Sequence, residues 1–423
     1  MKAVVYPGLP KGKVSIPASK SQTHRAVIAA SLALGKSTIS NISYSEDIDA
    51  TIGAMEKIGA RFIRSADKLT VYGTSKIGFT EDNFVECNES GSTLRFLIPV
   101  FSLCNQKVVF TGRRSLFQRP LGIYDSLFAK ANSRFIKNDD SVIVAGSLVP
   151  GTYTLAGNVS SQFISGLLFA LPLLDGSSEI VVSEPFESRY YVDMTVSVLK
   201  LAGIVVEQEN NRYLIKGNQS YKHFDISLEG DFSQMAFFAV LGILAGDVEC
   251  KNMPETSLQP DRAILNFISE AGGKYIRTET GYRFLASSLE AITCDVGQSP
   301  DLAPVLSVMA AFSQGLSSIT NAARLKIKES NRLEAIWQII NGLGGKAELG
   351  NDYVNITGAN ELVGGSFNSF GDHRIVMSLA IAASRCQNPV LIKNAEAVNK
   401  SYPRFFRDLA SLGLKIDFIK EEE

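Results

Sequence analysis

Short apolar runs alternate along this chain with β-rich segments, and the join between them follows a repeated phrase. A helical pattern ends on a small residue, a Gly follows, and a short strand begins. The central positions of that phrase are Gly59, Asn132, Gly203, Gly272, Gly344 and Gly413, spaced 69 to 73 residues apart. Gly and Asn are the residues that best tolerate the left-handed conformation after a helix. A second phrase, an apolar helix followed by Gly or Asn and a β-rich run, keeps step with the first. Its markers are Gly35, Asn105, Gly176, Gly246, Gly315 and, more loosely, Asn388, again 69 to 73 apart. Helices often end in Gly, which would supply any single match. Two series holding one spacing over the whole chain require a repeat.

Six copies of one unit follow, each with two helices and several short strands, and this predicts an α/β fold. At 423 residues the chain exceeds what one core usually supports, so the six units divide naturally as three plus three. The polar stretch at residues 217–223 lies between the third and fourth units and reads as the domain border. A ligand site is then expected between domains, where pockets tend to form.

Charge narrows the function. Lys and Arg together number 42 against 43 for Asp and Glu, which excludes a broad nucleic-acid footprint and makes any anion site local. The five cysteines (Cys87, Cys104, Cys250, Cys294 and Cys386) are scattered and form no CxxC pair. They read as reduced thiols of a cytoplasmic protein, without a disulfide framework or a zinc site. Three histidines make a His-rich metal site a poor reading. The amino terminus shows no secretory pattern, and apolar runs such as residues 236–245 fall short of the ~18 residues a membrane helix needs.

Basic and small polar residues cluster at the expected starts of apolar helices. Ser19-Lys20-Ser21-Gln22-Thr23-His24-Arg25 leads into one. Ser19 or Ser21 would cap it, and the free amides of a helix start favour an anion. Ser21 and Arg25, four apart, share a face. Asn88-Glu89-Ser90-Gly91-Ser92-Thr93-Leu94-Arg95 leads into another. There Gly91 permits close backbone approach, and the missing Gly-Lys-Ser/Thr excludes a Walker loop. Arg119 stands before an expected helix start, Ser160-Ser161-Gln162 opens an apolar helix with three neutral hydrogen-bonding groups, and Ser188-Arg189-Tyr190-Tyr191 opens the next. Asp301 sits at a helix start where capping is the plain explanation. Lys328 and Arg332 are four apart with Glu329 between them, the pattern of a solvated helix face. Arg374, in Gly371-Asp372-His373-Arg374, precedes an apolar helix, and Lys400 follows later. No histidine has a nucleophile-elbow context, so a Ser-His-Asp hydrolase is excluded.

Taken together, and in this order from Lys20 to Lys400, these motifs resemble the 5-enolpyruvylshikimate-3-phosphate synthase family. The resemblance implies two domains, each of three βαβαββ units, in an enolpyruvyl transferase-like inside-out α/β barrel. The domains would be 19–229 and 1–18 plus 230–423, with the active site in the cleft between them. It implies transfer of the enolpyruvyl group of phosphoenolpyruvate to the 5-hydroxyl of shikimate 3-phosphate, on the route to chorismate and the aromatic amino acids. Shikimate 3-phosphate would be held by Lys20, Ser21, Arg25, Ser160, Ser161, Gln162, Ser188, Asp301 and Lys328, with Tyr191 packing nearby. Phosphoenolpyruvate would be held by Lys20, Gly91, Arg119, Gln162, Arg332, Arg374 and Lys400, with Arg95 supporting the Gly91 turn. Asp301 would be the base and Glu329 the proton donor, with Lys20 sharing proton transfer. No metal, organic cofactor, nucleic acid or membrane is implied, and the enzyme would be a cytoplasmic monomer.

Some residues depart from the family pattern. Residues 89–93 read Glu-Ser-Gly-Ser-Thr where many members have Asn-Ala-Gly-Thr-Ala, Phe96 replaces a frequent Pro, and Arg324 stands where some members place a substrate-binding Asn. The sister transferase acting on UDP-N-acetylglucosamine typically carries a Cys in the loop corresponding to residues 112–119, and this chain has none there.

Overall fold

The computed structural model describes residues 1–79, 82–129 and 133–419. It divides into two compact units, Ala18–Leu228 and Met1–Pro17 with Glu229–Glu423. Among the described residues there are six four-stranded sheets, three in each unit, and all share one topology. In a representative sheet, Phe84–Glu86 pairs in parallel with Val108–Thr111, which pairs antiparallel with Ser141–Ala145, itself antiparallel to Arg134–Lys137. Along the chain one helix joins the first two strands, and a second helical crossover, here split into Arg114–Gln118 and Ile123–Ala129, leads to Arg134–Lys137, which makes the repeat βαβαββ. Parallel neighbours need such a crossover, whereas the last two strands need only a tight turn.

The helix that follows each first strand is the inner one. These are α1 (Lys20–Ser31), α2 (Gly91–Ser102), α3 (Ser161–Ala170), α4 (Phe232–Ala245), α5 (Ala303–Ala311) and α6 (His373–Ala382). Every residue of α5 and α6 is buried, and all but one in each of α2, α3 and α4. Helices apolar on all faces must be buried on all faces. Thus α4, α5 and α6 pack on one another in their unit, and α2 packs on α3 in the other. The second helix of each repeat, such as Arg332–Gly342, keeps one polar face outward.

Three of the six repeats are assembled from distant pieces. The carboxy-terminal strand Ile416–Ile419 and Val390–Lys393 are both antiparallel to Lys2–Val5, so the amino-terminal strand completes the last repeat. Lys11–Ser15 pairs in parallel with Asp247–Lys251 and begins the repeat of α4. Asp225–Ser227 pairs in parallel with Gly35–Ser40 and completes the repeat of α1. The polar stretch at 217–223 therefore lies inside the 18–228 unit, ahead of its last strand, and is not a border.

All five glycines of the first marker series have positive φ, from +75° at Gly203 to +94° at Gly413. Asn132 lies outside the described residues. Only half of the second series is left-handed, namely Gly35, Asn105 and Gly315. Gly246 has an ordinary φ of −142° and is glycine for space, since a Cβ there would lie 2.3 Å from the Pro10 carbonyl oxygen. A third series went unread in the sequence: Asn41, Asn252, Asn321 and Asn394, all with positive φ, close second strands. Their side-chain amides reach back to the end of the neighbouring first strand, as in Asn252 Nδ2 to Ile16 O at 3.0 Å and Asn321 Nδ2 to Asp295 Oδ2 at 2.6 Å.

No helix among the described residues is long and apolar enough to cross a membrane. The marker glycines give a stability test. At Gly272 (φ +80°) the nearest atom to an added Cβ is 3.6 Å away, so only backbone conformation opposes a side chain. Gly272→Ala should cost about 1–2 kcal/mol and Gly272→Asn less, because Asn visits this region readily. Urea denaturation followed by the fluorescence of Trp337, the only tryptophan, measures both.

Candidate active site

In the 18–228 unit the three inner helices are capped by neutral hydroxyls. Ser19 Oγ accepts from Gln22 N, Ser90 Oγ from Thr93 N and Ser160 Oγ from Gln162 N, at 3.2–3.4 Å. Such caps leave the positive ends of the helix dipoles uncompensated, which suits an anion. Gln162 gathers α2 and α3: its Nε2 donates to Ser92 Oγ at 2.9 Å and its Oε1 accepts from Arg95 Nη1 at 2.8 Å. A Cβ at Gly91 would lie 3.0 Å from Arg119 Nη1 and 3.6 Å from Gln162 Oε1. Gly91, Arg95, Arg119 and Gln162 thus form one group, and only Gly lets the Arg119 guanidinium so close to the backbone. Arg95 lies over the Phe163 ring at 5.3 Å.

Lys20 pairs with Asp47 at 2.6 Å, both side chains partly exposed. Arg25 is buried, and burial pushes its guanidinium down to about 10. Its Nε donates to Thr195 Oγ1, Nη1 to the Ser21 carbonyl and Nη2 to the Tyr191 carbonyl, all at 2.7–2.8 Å. Those bonds use three of its five N–H groups and tie α1 to the helix Arg189–Leu201. Ser188, buried and left-handed (φ 55°), stands just ahead of that helix. The sequence reading did not assign Glu89, a buried carboxylate that accepts from Ser115 Oγ at 3.0 Å and lies 3.8 Å from Arg119. It did not single out Asp47 either, whose place among Glu46, Asp47 and Asp49 looks like an ordinary acidic first turn.

In the other unit the caps carry charge. Asp231 caps α4 and Asp372 caps α6, while Asp301 lies in the short turn of 3₁₀ helix Pro300–Leu302 that leads into α5. Asp301 is therefore not a cap; Ser299 holds that position. Its Oδ1 accepts from Arg332 Nη1 at 2.9 Å and Lys328 Nζ at 3.3 Å, and its Oδ2 accepts from Arg374 Nη2 at 2.9 Å. Arg332 is buried and grips Asp372 with two bonds, Nε to Oδ2 at 2.7 Å and Nη2 to Oδ1 at 3.2 Å. Glu329 Oε2 is 2.7 Å from the same Nη2. Lys400 Nζ donates to the Gly371 carbonyl at 2.6 Å. Arg324 Nη2 donates to the Gly297 carbonyl, so that guanidinium braces the chain ahead of Asp301.

Lys328 and Arg332 do not share a helix face. Asn331 caps the helix Arg332–Gly342, with Glu334 N donating back to it, and Lys328 lies in the preceding turn. The Asn331–Glu334 capping pair was the signal for this. Asp372 is the residue the sequence reading underused: it organises Arg332, Ser330 and the Arg374 amide at once.

Burial opposes ionisation of Asp301, yet Arg374, Lys328 and Arg332 outweigh it and hold the carboxyl well below the usual range. Asp372 is likewise lowered, with burial overcome by Arg332. Burial lowers Lys328, partly offset by Asp301. Among the described residues no cluster of His, Cys, Asp and Glu could hold a metal ion. The arrangement places a carboxylate kept ionised, a second carboxylate on the same guanidinium, and several cations together.

This fold recurs in solved structures. An enolpyruvyl transferase, NikO of Streptomyces tendae, superposes with a TM-score of 0.79 at 15% identity over 98% of each chain. An EPSP synthase of Acinetobacter baumannii gives 0.82 at 24% identity, covering 98% of this chain and 99% of that one. The class is therefore that of the enolpyruvyl transferase fold. The sequence profile of EPSP synthase (3-phosphoshikimate 1-carboxyvinyltransferase) matches residues 7–409, and the chain belongs to that family. Relatives named 3-phosphoshikimate 1-carboxyvinyltransferase include one from Clostridium perfringens, 41% identical over 97% of this chain and 98% of its own length. Another, from Clostridium acetobutylicum, is 44% identical over 95% of each.

The Arg332–Asp372 pair gives a pH test. A carboxyl lowered by folding adds stability that is complete above its unfolded value of about 3.9 and lost as the pH falls through the folded value. Asp372→Asn should cost about 3 kcal/mol at pH 7, since it strips a partner from a buried cation. The gap between variant and parent should narrow below about pH 4. Trp337, on the Arg332 helix, reports the transition.

Proposed function

We infer that the chain moves the enolpyruvyl group of phosphoenolpyruvate to the 5-hydroxyl of shikimate 3-phosphate and releases phosphate. Family membership over residues 7–409 supports the activity. The observation that carries the chemistry is Asp301, ionised within a shell of Arg332, Arg374 and Lys328, with Glu329 on the same arginine.

In the addition step the 5-hydroxyl oxygen bonds to C2 of phosphoenolpyruvate. Its proton passes to Asp301, and C3 takes a proton from Glu329. Elimination then breaks the C2–O bond to phosphate and returns a proton from C3, with Lys20 sharing the transfers. A carboxyl held so far down is a weak base in the empty protein. Substrate phosphate and carboxylate groups would draw Lys328, Arg332 and Arg374 toward themselves, and Asp301 would gain basicity when it is needed. Cations aimed at the leaving phosphate act most strongly where water is excluded.

Our assignment gives shikimate 3-phosphate to Lys20, Ser21, Arg25, Ser160, Ser161, Gln162, Ser188, Tyr191, Asp301 and Lys328. It gives phosphoenolpyruvate to Lys20, Gly91, Arg119, Gln162, Arg332, Arg374 and Lys400. The residues come from both units, so the reading requires the two sets to act on one substrate pair in a cleft between domains. The hydroxyl-capped helix starts of the 18–228 unit and the carboxylates of the other supply complementary halves of that chemistry. We place the enzyme in the cytoplasm, as a monomer, with small-molecule partners and neither a metal nor an organic cofactor. Near-zero net charge and free cysteines agree with that setting.

Phosphate release is the test. It is expected when the protein meets phosphoenolpyruvate and shikimate 3-phosphate together, and not with either alone or with UDP-N-acetylglucosamine as acceptor. Release with the nucleotide sugar and not with shikimate 3-phosphate would overturn the reading.

A further inference from the structure

A buried chain of hydroxyls runs from α1 to the start of α2. His24 Nδ1 is 2.7 Å from Thr51 Oγ1, Thr51 Oγ1 is 2.6 Å from Thr93 Oγ1, and Thr93 Oγ1 donates to Ser90 Oγ at 2.7 Å. All four residues are fully buried. The carbonyl of Asp47 is 3.5 Å from both threonine hydroxyls, a much weaker acceptor than the short contacts.

These contacts fix the direction of every bond. A hydroxyl has one proton. Thr93 spends its proton on Ser90, so Thr51 must donate to Thr93. Thr51 then has none left for His24, and the short contact there needs Nδ1–H as donor. Burial, with Lys20 and Arg25 nearby, keeps the imidazole neutral, so it carries a single N–H. Nε2 is left as a lone pair, and it finds no hydrogen-bond partner among the described residues. A buried lone pair without a partner is better tolerated than a buried orphan N–H.

Resting on the function inferred above, we propose that His24 is a positioning residue, locked as the Nδ1–H tautomer, that aims the Gly91 turn through Thr51, Thr93 and Ser90. The last hydroxyl of the chain is the cap of α2. Ser90 Oγ accepts from Thr93 N as well as from Thr93 Oγ1, which sets the direction of the first turn and of its Gly91 amide beside Arg119. His24 lies between Lys20 and Arg25 on α1, so the chain ties the helix of the shikimate 3-phosphate group to the turn that meets phosphoenolpyruvate.

Two readouts test this. ¹⁵N NMR of histidine-labelled protein, with His24→Asn used to assign the signal, is expected to show a neutral Nδ1–H ring that does not titrate between pH 6 and 8. Thr51→Val removes the middle hydroxyl at nearly constant shape. It is expected to shift His24 toward the Nε2–H tautomer and to raise KM for phosphoenolpyruvate about five- to tenfold, with KM for shikimate 3-phosphate changed less than about twofold. Thr51→Ser should restore both. An Nε2–H ring in the parent protein overturns the proposal whether or not any variant folds. So does a Thr51→Val variant that loses stability but keeps the parent KM for phosphoenolpyruvate. Absence of phosphate release by the parent would instead strike the function reading, because the tautomer is read without turnover.

Discussion

Arg332 is the charge around which one of the two units is built. Its guanidinium is buried, and a buried cation costs several kcal/mol unless it is fully paired. Three carboxylates meet that demand: Asp372 with two bonds, Asp301 with one, and Glu329. Each carboxylate belongs to a different element. Asp372 caps α6, Asp301 leads into α5, and Glu329 lies on the turn before the helix that Arg332 opens. Satisfying one guanidinium therefore fixes where two inner helices begin. Arg374 shares Asp301 and also bonds Ser233 at the start of α4, so the third inner helix is drawn into the same array.

Seen this way, the two units use one repeat for opposite electrostatic ends. Ser19, Ser90 and Ser160 cap without charge, and the helix starts of the 18–228 unit stay attractive to anions. In the other unit Asp231 and Asp372 neutralise their helix starts, and Asp372 also grips Arg332. Glu89 is an exception in the first unit. A buried carboxylate 3.8 Å from Arg119 tempers that cation and limits the directions it can take.

Much of this was legible in the chain. The Gly series at 59, 203, 272, 344 and 413 gave the repeat because a left-handed residue after a helix admits few alternatives. Gly246 fitted the second series for another reason, the nearness of Pro10, and sequence does not separate a need for φ from a need for space. Strands Asp225–Ser227 and Lys11–Ser15 were missed as parts of distant repeats, since runs so short carry no clear period. That is also why residues 217–223 were misread as a border. At the site, the motifs named Arg332, Arg374 and Lys328, which the structure gathers around Asp301. Their partners Asp372, Asp47 and Glu89 were not assigned, because an acid at a helix start looks the same whether it caps, pairs or does both.

Asp301→Asn tests the central claim, that a carboxylate held ionised by Arg332, Arg374 and Lys328 takes the proton of the attacking hydroxyl. The variant keeps size and hydrogen-bonding shape while losing the base. Phosphate release should fall at least about 100-fold, with shikimate 3-phosphate binding by calorimetry preserved within about tenfold. Turnover equal to that of the parent protein would contradict the account.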